Sequence, residues 1–305
     1  MKILITGGAG YIGSVLTKYL HNLNHTITVY DNFIYKTQTH HEGCTYIIGD
    51  VRNSAELIKL IQAHDVIIPL AALVGMDVCD MYPDDAVDIN TKQIAVICNN
   101  VSKNQKLVLF NTNSQYGSSE TIVDETSKTK PLSHYARTKC DAEEIALNSS
   151  VCTVFRLATV FGLSPRMRLD LLVNNLTYQM IKYQMIELFE PHFMRNFIHV
   201  RDVCSCVRHV LDNDVKESIF NVGNSRENMS KIALAKKIKN IIPSADFTIC
   251  HNTRDPDKRD YMVSNDRIES TGWVAEYSID FGVKEIVSNI DIIDNQSCIK
   301  YNSKV

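Results

Sequence analysis

The sequence predicts an α/β fold, a doubly wound parallel sheet followed by a smaller α/β lobe, and three observations carry that prediction. Across the first 160 residues, short apolar runs rich in Val, Ile and Thr alternate with longer amphipathic stretches, the pattern of βαβ units feeding a parallel sheet. The first run, KILIT, passes directly into the glycine-dense GGAGYIG and then into a helical pattern. Beyond Gly162 the alternation breaks into a polar, arginine-containing stretch, as where a chain leaves the sheet to cover its carboxyl edge.

Taken in order, the β-rich runs place strands at 2–6, 26–30, 45–49, 66–70, 107–111 and 151–155. They are short and apolar throughout, as strands covered on both faces are. The stretches between them place helices at 11–23, 54–63, 84–102 and 133–147, the last announced by Pro131 and Ser133. Residues 164–170 read as a loop, followed by a helix through Tyr183, a short strand near 186–188 and mixed elements onward, with a frayed polar tail over 295–304. The divisions expected are a sheet domain at 1–162 with a return segment at about 195–222, and a second lobe at 163–194 and 223–305.

With 305 residues, 45% hydrophobic and 22% charged, the chain can bury a large core as one unit of two lobes. A net charge of −3 and a pI near 6.4 give no footprint for nucleic acid or an anionic membrane. No apolar run reaches the ~18 residues of a membrane span or forms a signal segment, so a soluble, cytoplasmic protein is expected. The nine cysteines include no C-x-x-C pair, which points to free thiols and no bound metal.

The glycine loop lies between a strand and a helix, the context that gives such a cluster meaning. Gly7 permits the tight turn, Gly10 lets backbone amides approach a pyrophosphate, Gly13 lets the helix pack close, and Tyr11 and Ile12 lie between them. Asp31 ends the second strand 18 residues after Gly13, where a carboxylate accepts both ribose hydroxyls of a dinucleotide; the competing reading is a turn cap. A carboxylate there repels a 2′-phosphate, and the following segment offers only Lys36, so NAD is favoured over NADP.

In SHYARTK, Tyr135 and Lys139 are four apart on a helix and share a face. A lysine charge at about 5 Å and an effective dielectric of ~20 contributes roughly 3 kcal/mol, enough to lower a phenol by about two pKa units. Tyr135 is then the base that takes a carbinol proton while the nicotinamide takes the hydride, and Thr112, ending the fifth strand, is the supporting hydroxyl.

Together these residues resemble the extended short-chain dehydrogenase/reductase family, the nucleotide-sugar epimerases and dehydratases. The resemblance spans nearly the whole chain: the glycine loop, Asp31-Asn32, Gly49-Asp50-Val51, Leu70-Ala71-Ala72, Thr112 with Tyr116-Gly117, Tyr135 to Lys139, the phrase RNFIHV from Arg195, and Arg259-Asp260-Tyr261 with Gly272-Trp273. It implies a Rossmann domain with Asp31 and Asn32 at the ribose, Asp50 and Val51 at the adenine, Leu70, Ala71 and Ala72 along the cofactor, and Asn90 bracing the active site. For a nucleotide-sugar substrate it implies contacts from Asn113, from Asn175 at the diphosphate, and from paired arginines, Arg195 with either Arg254 or Arg259. Two departures bear on the chemistry. The 4,6-dehydratases carry an acidic pair after the threonine, but here Asn113 and Ser114 follow, which disfavours water loss; and Thr159 stands where 4-epimerases usually carry asparagine.

The reading that follows is oxidation at C4 of an NDP-hexose or GDP-manno-heptose to a 4-keto sugar, with a 4-epimerase as the alternative. A 4,6-dehydratase and a non-catalytic NAD-sensing protein are less favoured, because the chain keeps Tyr135, Lys139 and Thr112 together. A homodimer is expected from the resemblance and from second apolar stripes, Ile94, Ile97 and Val101 on one helix and Ala142, Ile145 and Ala146 on another.

Overall fold

A computed structural model describes residues 1–35, 40–149, 151–213, 215, 218–250 and 258–295. The apolar runs become β1 (Lys2–Thr6), β2 (Thr26–Asp31), β3 (Thr45–Ile48), β4 (Val66–Pro69), β5 (Lys106–Thr112) and β6 (Cys152–Leu157). Two more strands, β7 (Thr159–Phe161) and β8 (Met185–Leu188), precede β9 (Met194–His199) and β10 (Ile219–Val222). A seven-stranded sheet runs in the order β10, β6, β5, β4, β1, β2, β3, with every pair parallel. Reversal of strand order beside β1 puts a crevice at the carboxyl ends of β1 and β4, where such sheets bind ligands.

Alternate residues of β1 explain its unbroken apolar run. Ile3 and Ile5 face α1 (Tyr11–His21) and the later helix Val200–Asp212, through Leu16, Leu20, Val203 and Val207. Leu4 faces the opposite layer, built by α2 (Ser54–Gln62), the helix Gln93–Asn100 and the helix His134–Leu147. With both faces covered, Ile3, Leu4 and Ile5 are each fully buried.

The helix expected over 84–102 is interrupted. After α3 (Met76–Met81), which the sequence reading missed, come α4 (Pro83–Val87), a π turn (Asp88–Lys92) and α5 (Gln93–Asn100). The proposed dimer stripes are corrected here. Ile94, Ile97, Ala142 and Ala146 are at most 2% exposed and pack towards the sheet, so these four offer no face to a second subunit, while Val101 and Ile145 are half-buried against the same core.

Past β6 the chain leaves the large sheet. β7 pairs in parallel with β9, which pairs antiparallel with β11 (Asn228–Ser230), and β8 pairs with β12 (Asp246–Ile249). These small sheets share a core with α7 (Leu172–Tyr183), α9 (Lys231–Ile241) and α11 (Ile279–Ser288) through Phe161, Val173, Leu176, Phe197, Leu234 and Val283. Within the span expected as a return segment, β9 belongs to this small sheet, α8 (Val200–Asp212) lies against the large sheet and β10 forms its edge. Two short helices, α10 (Asp266–Glu269) and α12 (Ile290–Asn295), complete the described chain. No helix among the described residues is long and apolar enough to cross a membrane, and the described cysteines are free.

Helix α6 (His134–Leu147) starts at an N-cap, Ser133, whose hydroxyl accepts the Ala136 N–H at 3.1 Å. Its inner face is held by a buried ion pair. Arg156 of β6 grips Glu143 through Nε and Nη2, both side chains only 6% exposed, and donates from Nη1 to the Tyr116 hydroxyl at 2.8 Å. We expect Arg156→Met to destabilise the fold by about 3–5 kcal/mol in urea unfolding, because it strands the Glu143 charge in the interior. Glu143→Gln in the same chain, by removing that charge, should recover most of the loss.

Candidate active site

A cavity of about 690 Å³ lies along the carboxyl ends of the central strands. Gly7, Gly10, Tyr11, Ile12, Gly13, Leu70 and Ala72 line it, and so do Thr112, Tyr135, Lys139, Asn175, Arg195 and Arg259. One continuous space therefore joins the predicted cofactor, catalytic and substrate groups.

The glycine loop is shaped by contact as well as by turning. Gly7 has φ +70°, and a Cβ there would lie 2.4 Å from the Ala71 nitrogen; one on Gly13 would lie 2.5 Å from the Gly7 oxygen. Gly10 caps α1 without any side-chain hydrogen bond and no acidic residue occupies the first turn. The first amides of the helix thus open on the cavity beside a positive dipole end, a cradle that fits a dinucleotide pyrophosphate.

Asp31 acts as the turn cap of the competing reading and also ties the glycine loop. Its carboxylate accepts the Ala9 N–H at 2.9 Å, tying β2 to the glycine loop, and the Phe33 N–H at 2.8 Å, capping the following turn. Burial pushes its pKa up against those hydrogen bonds. Asn32 is exposed and accepts the Ile34 N–H. Asp50 is gripped by Arg52, which holds its carboxyl below the ordinary range, and Val51 is buried in the core beneath α2. Asp31, Asn32, Asp50, Val51, Ala71 and Asn113 all lie outside the cavity lining. Lys36 and Arg254 fall outside the described residues.

The segment after β7 is sewn to the glycine-loop helix, which sequence reasoning missed. The Tyr11 hydroxyl donates to the Gly162 carbonyl at 2.7 Å, and the Ser164 hydroxyl donates to the Tyr11 carbonyl at 2.7 Å. Arg166, fully buried, then lies 3.9 Å over the Tyr35 ring, close enough to Asp31 to bear on its charge. The sequence did flag an arginine-containing stretch here; its partners, more than 100 residues earlier in the chain, left no local signal.

Tyr135 and Lys139 both face the cavity from α6, but the electrostatic expectation is corrected. Burial pushes the Tyr135 phenol up to about 12, and the cations that oppose this are Arg168 and Arg259. Lys139 is itself desolvated: burial holds its ammonium down to about 8, with Glu143 and Cys79 working the other way. Asn90, in the π turn, accepts the Leu73 N–H and donates to the Leu73 carbonyl, both at 2.9 Å, and to the Thr138 hydroxyl at 3.1 Å. It thereby braces the loop after β4 against α6.

Thr112 donates to the Ser114 hydroxyl at 2.9 Å and accepts the Ser114 N–H at 3.1 Å. Arg259 also donates to Ser114, which brings this arginine beside the predicted catalytic groups. Arg195 donates to the carbonyls of Met194 and Arg259, organising the segment that carries its neighbour. The Asn175 amide donates to the Leu169 carbonyl at 2.7 Å. Asn113 is 1% exposed, and neither its amide nitrogen nor its oxygen has a hydrogen-bond partner. Arg168, paired with Asp170, and Lys231 also line the cavity, neither anticipated. No cluster among the described residues could hold a metal ion.

The model of the NAD dependent epimerase/dehydratase family matches residues 3–223. An uncharacterised UDP-glucose epimerase of Bacillus subtilis is 28% identical over 255 residues, covering 76% of this chain and 80% of that protein. A GDP-6-deoxy-D-talose 4-dehydrogenase of Aggregatibacter actinomycetemcomitans is 28% identical over 241 residues, covering 73% of this chain and 74% of that one. Among solved structures, a UDP-glucose 4-epimerase of Thermotoga maritima with UDP-glucose has TM-score 0.84 at 21% identity, covering 97% of this chain and 100% of that one.

Holding the Lys139 ammonium near 8 instead of its ordinary 10.5 costs the fold about 3 kcal/mol. The cost is full below pH 8 and fades between about 8 and 10.5, where the unfolded chain keeps a proton the folded chain has lost. Lys139→Met should therefore raise the melting temperature at pH 7, and its advantage over the parent should vanish as pH climbs through that window in calorimetry.

Proposed function

Because the chain belongs to the NAD dependent epimerase/dehydratase family, we propose that it oxidises C4 of a nucleotide-activated sugar to a 4-keto sugar. The observation that carries this reading is the shared cavity: the glycine loop, Tyr135, Lys139, Thr112 and the diphosphate candidates Asn175, Arg195 and Arg259 open on one space. Bound NAD supplies the hydride acceptor.

In this scheme Tyr135 takes the C4 hydroxyl proton while Thr112 hydrogen-bonds the same oxygen. Burial holds the phenol up at about 12, so it must first lose its own proton, and the cations at Arg168 and Arg259 stabilise the phenolate that then accepts the proton from C4. Asn113 stands where the 4,6-dehydratases place an acid and cannot protonate a leaving hydroxyl, so the 4-keto sugar is not dehydrated. Residues 1–162 with α8 and β10 of the segment at about 195–222 form the NAD part, and 163–194 with β9 and 223–305 the sugar-nucleotide part, of a subunit that pairs as a homodimer.

The substrate favoured is GDP-D-glycero-D-manno-heptose. Residues 111–117, 155–174 and 255–261 resemble the bacterial C4 dehydrogenase of that sugar in capsule synthesis, and the relative named as a GDP-sugar 4-dehydrogenase supports a GDP-linked sugar oxidised at C4. A 4-epimerase is the second reading, favoured by the hydrogen bonds of Tyr11 and Ser164 and the Arg166–Tyr35 stack around the glycine loop. Such bracing suits a cofactor that stays bound through both halves of a redox cycle.

Incubation of the protein and NAD with GDP-, UDP-, dTDP- and CDP-sugars distinguishes the two. A keto product with stoichiometric NADH is the expected result; an epimer without net NADH would establish the second reading instead. Tyr135→Phe should lower the rate by about 10²–10⁴-fold, and an undiminished rate would remove Tyr135 from the mechanism.

A further inference from the structure

We propose that Asn111 is a positioning residue, one buried amide that sets the Thr112 hydroxyl against the turn of α6 bearing Tyr135 and Lys139. Asn111 is 4% exposed and sits on β5 immediately before Thr112. Its Oδ1 accepts the Thr112 N–H at 2.9 Å, and its Nδ2 donates to the Lys139 carbonyl at 3.1 Å and to Glu143 Oε2 at 2.6 Å. One rigid planar group therefore touches the backbone of Thr112 and of Lys139, one helical turn beyond Tyr135. It joins the end of the strand to the middle of the helix.

The orientation of this amide is fixed by chemistry. Turned over, it would present its oxygen to the Lys139 carbonyl and the Glu143 carboxylate and its N–H to the Thr112 N–H, three like-with-like contacts. Glu143 cannot move aside, because Arg156 holds it through two nitrogens and Gln115 donates to it at 3.2 Å. The ion pair beneath α6 thus keeps Asn111 in register, and Asn111 keeps Thr112 in register with the helix. A displacement of about 1 Å at such a junction is enough to cost roughly 100-fold in rate.

This inference rests on the proposed role of Tyr135 and Thr112, and a double-mutant cycle separates the two. The parent, Asn111→Ala, Thr112→Ala and the double variant are assayed as purified with NAD, using whichever of the GDP-, UDP-, dTDP- and CDP-sugars the parent oxidises fastest. Asn111→Ala should lower kcat about 100-fold with KM and bound NAD little changed, and should lower the melting temperature because buried polar partners lose their hydrogen bonds. In the Thr112→Ala background the same change should cost less than about 2-fold, since the group it positions has gone. Multiplicative losses, or a rise in KM with kcat intact, overturn the positioning role while leaving the C4 reading standing. Absence of NADH with every sugar overturns both. Should Asn111→Ala fail to fold, Asn111→Asp with Glu143→Gln keeps the charge and shape of the pair and removes the donor to Lys139; full activity in that variant also overturns the proposal.

Discussion

The backbone at Gly7 lies against the backbone at Ala71 with no space for one further carbon, and the site is assembled from that contact outward. It forces the loop after β1 and the loop after β4 to share a wall. The second loop is in turn bolted to α6 through Asn90, which bonds Leu73 on one side and Thr138 on the other. The distance from the glycine cradle to Tyr135 is therefore inherited from main-chain packing at the centre of a parallel sheet, which side-chain motion alters little. Loops positioned by so stiff a frame are suited to chemistry that fails when groups drift.

Electrostatics inside this frame work against the resting site. Burial makes the phenol harder to ionise and the ammonium harder to keep, so in isolation the pair is tuned away from catalysis. Both penalties come from the same exclusion of water that strengthens any charge–charge contact made within the cavity. The arginines, each tied to neighbouring carboxylate, hydroxyl or carbonyl groups, supply positive potential that is already oriented. Preorganised charge of this kind is effective because it does not have to be rearranged when charge develops on a substrate.

The local parts of this arrangement were legible in the sequence. The glycine loop, the spacing of Tyr135 and Lys139, and the strands that frame them depend on neighbours within a few positions, and the helix starting after Ser133 begins where its hydroxyl predicts. Asn111, Arg166 and Arg168 were not legible, because their meaning comes from partners tens to more than a hundred residues away. The dimer stripes failed for a different reason. Helical periodicity reports that Ile94, Ile97, Ala142 and Ala146 share an apolar side, but a side facing a sheet and a side facing another subunit have the same period. The Tyr135 phenol is higher than the lysine charge alone would make it because burial desolvates both groups.

The π turn at Asp88–Lys92 holds one residue more than an α-helical turn would. Asn90 points to the Leu73 loop from within the turn, and directly after it Gln93 donates to the carbonyls of Ala71 and Ile89. Deleting a single residue there would close the i→i+5 turn to regular α-helix with the flanking segments nearly in phase, but it would remove one of the positions from which Asn90 and Gln93 reach the loop after β4. Conservative replacements elsewhere in α5 need only preserve volume, whereas this stretch must preserve its count of residues. Insertions and deletions, tolerated in most surface loops, would here dismantle the active site without touching any of its chemical groups.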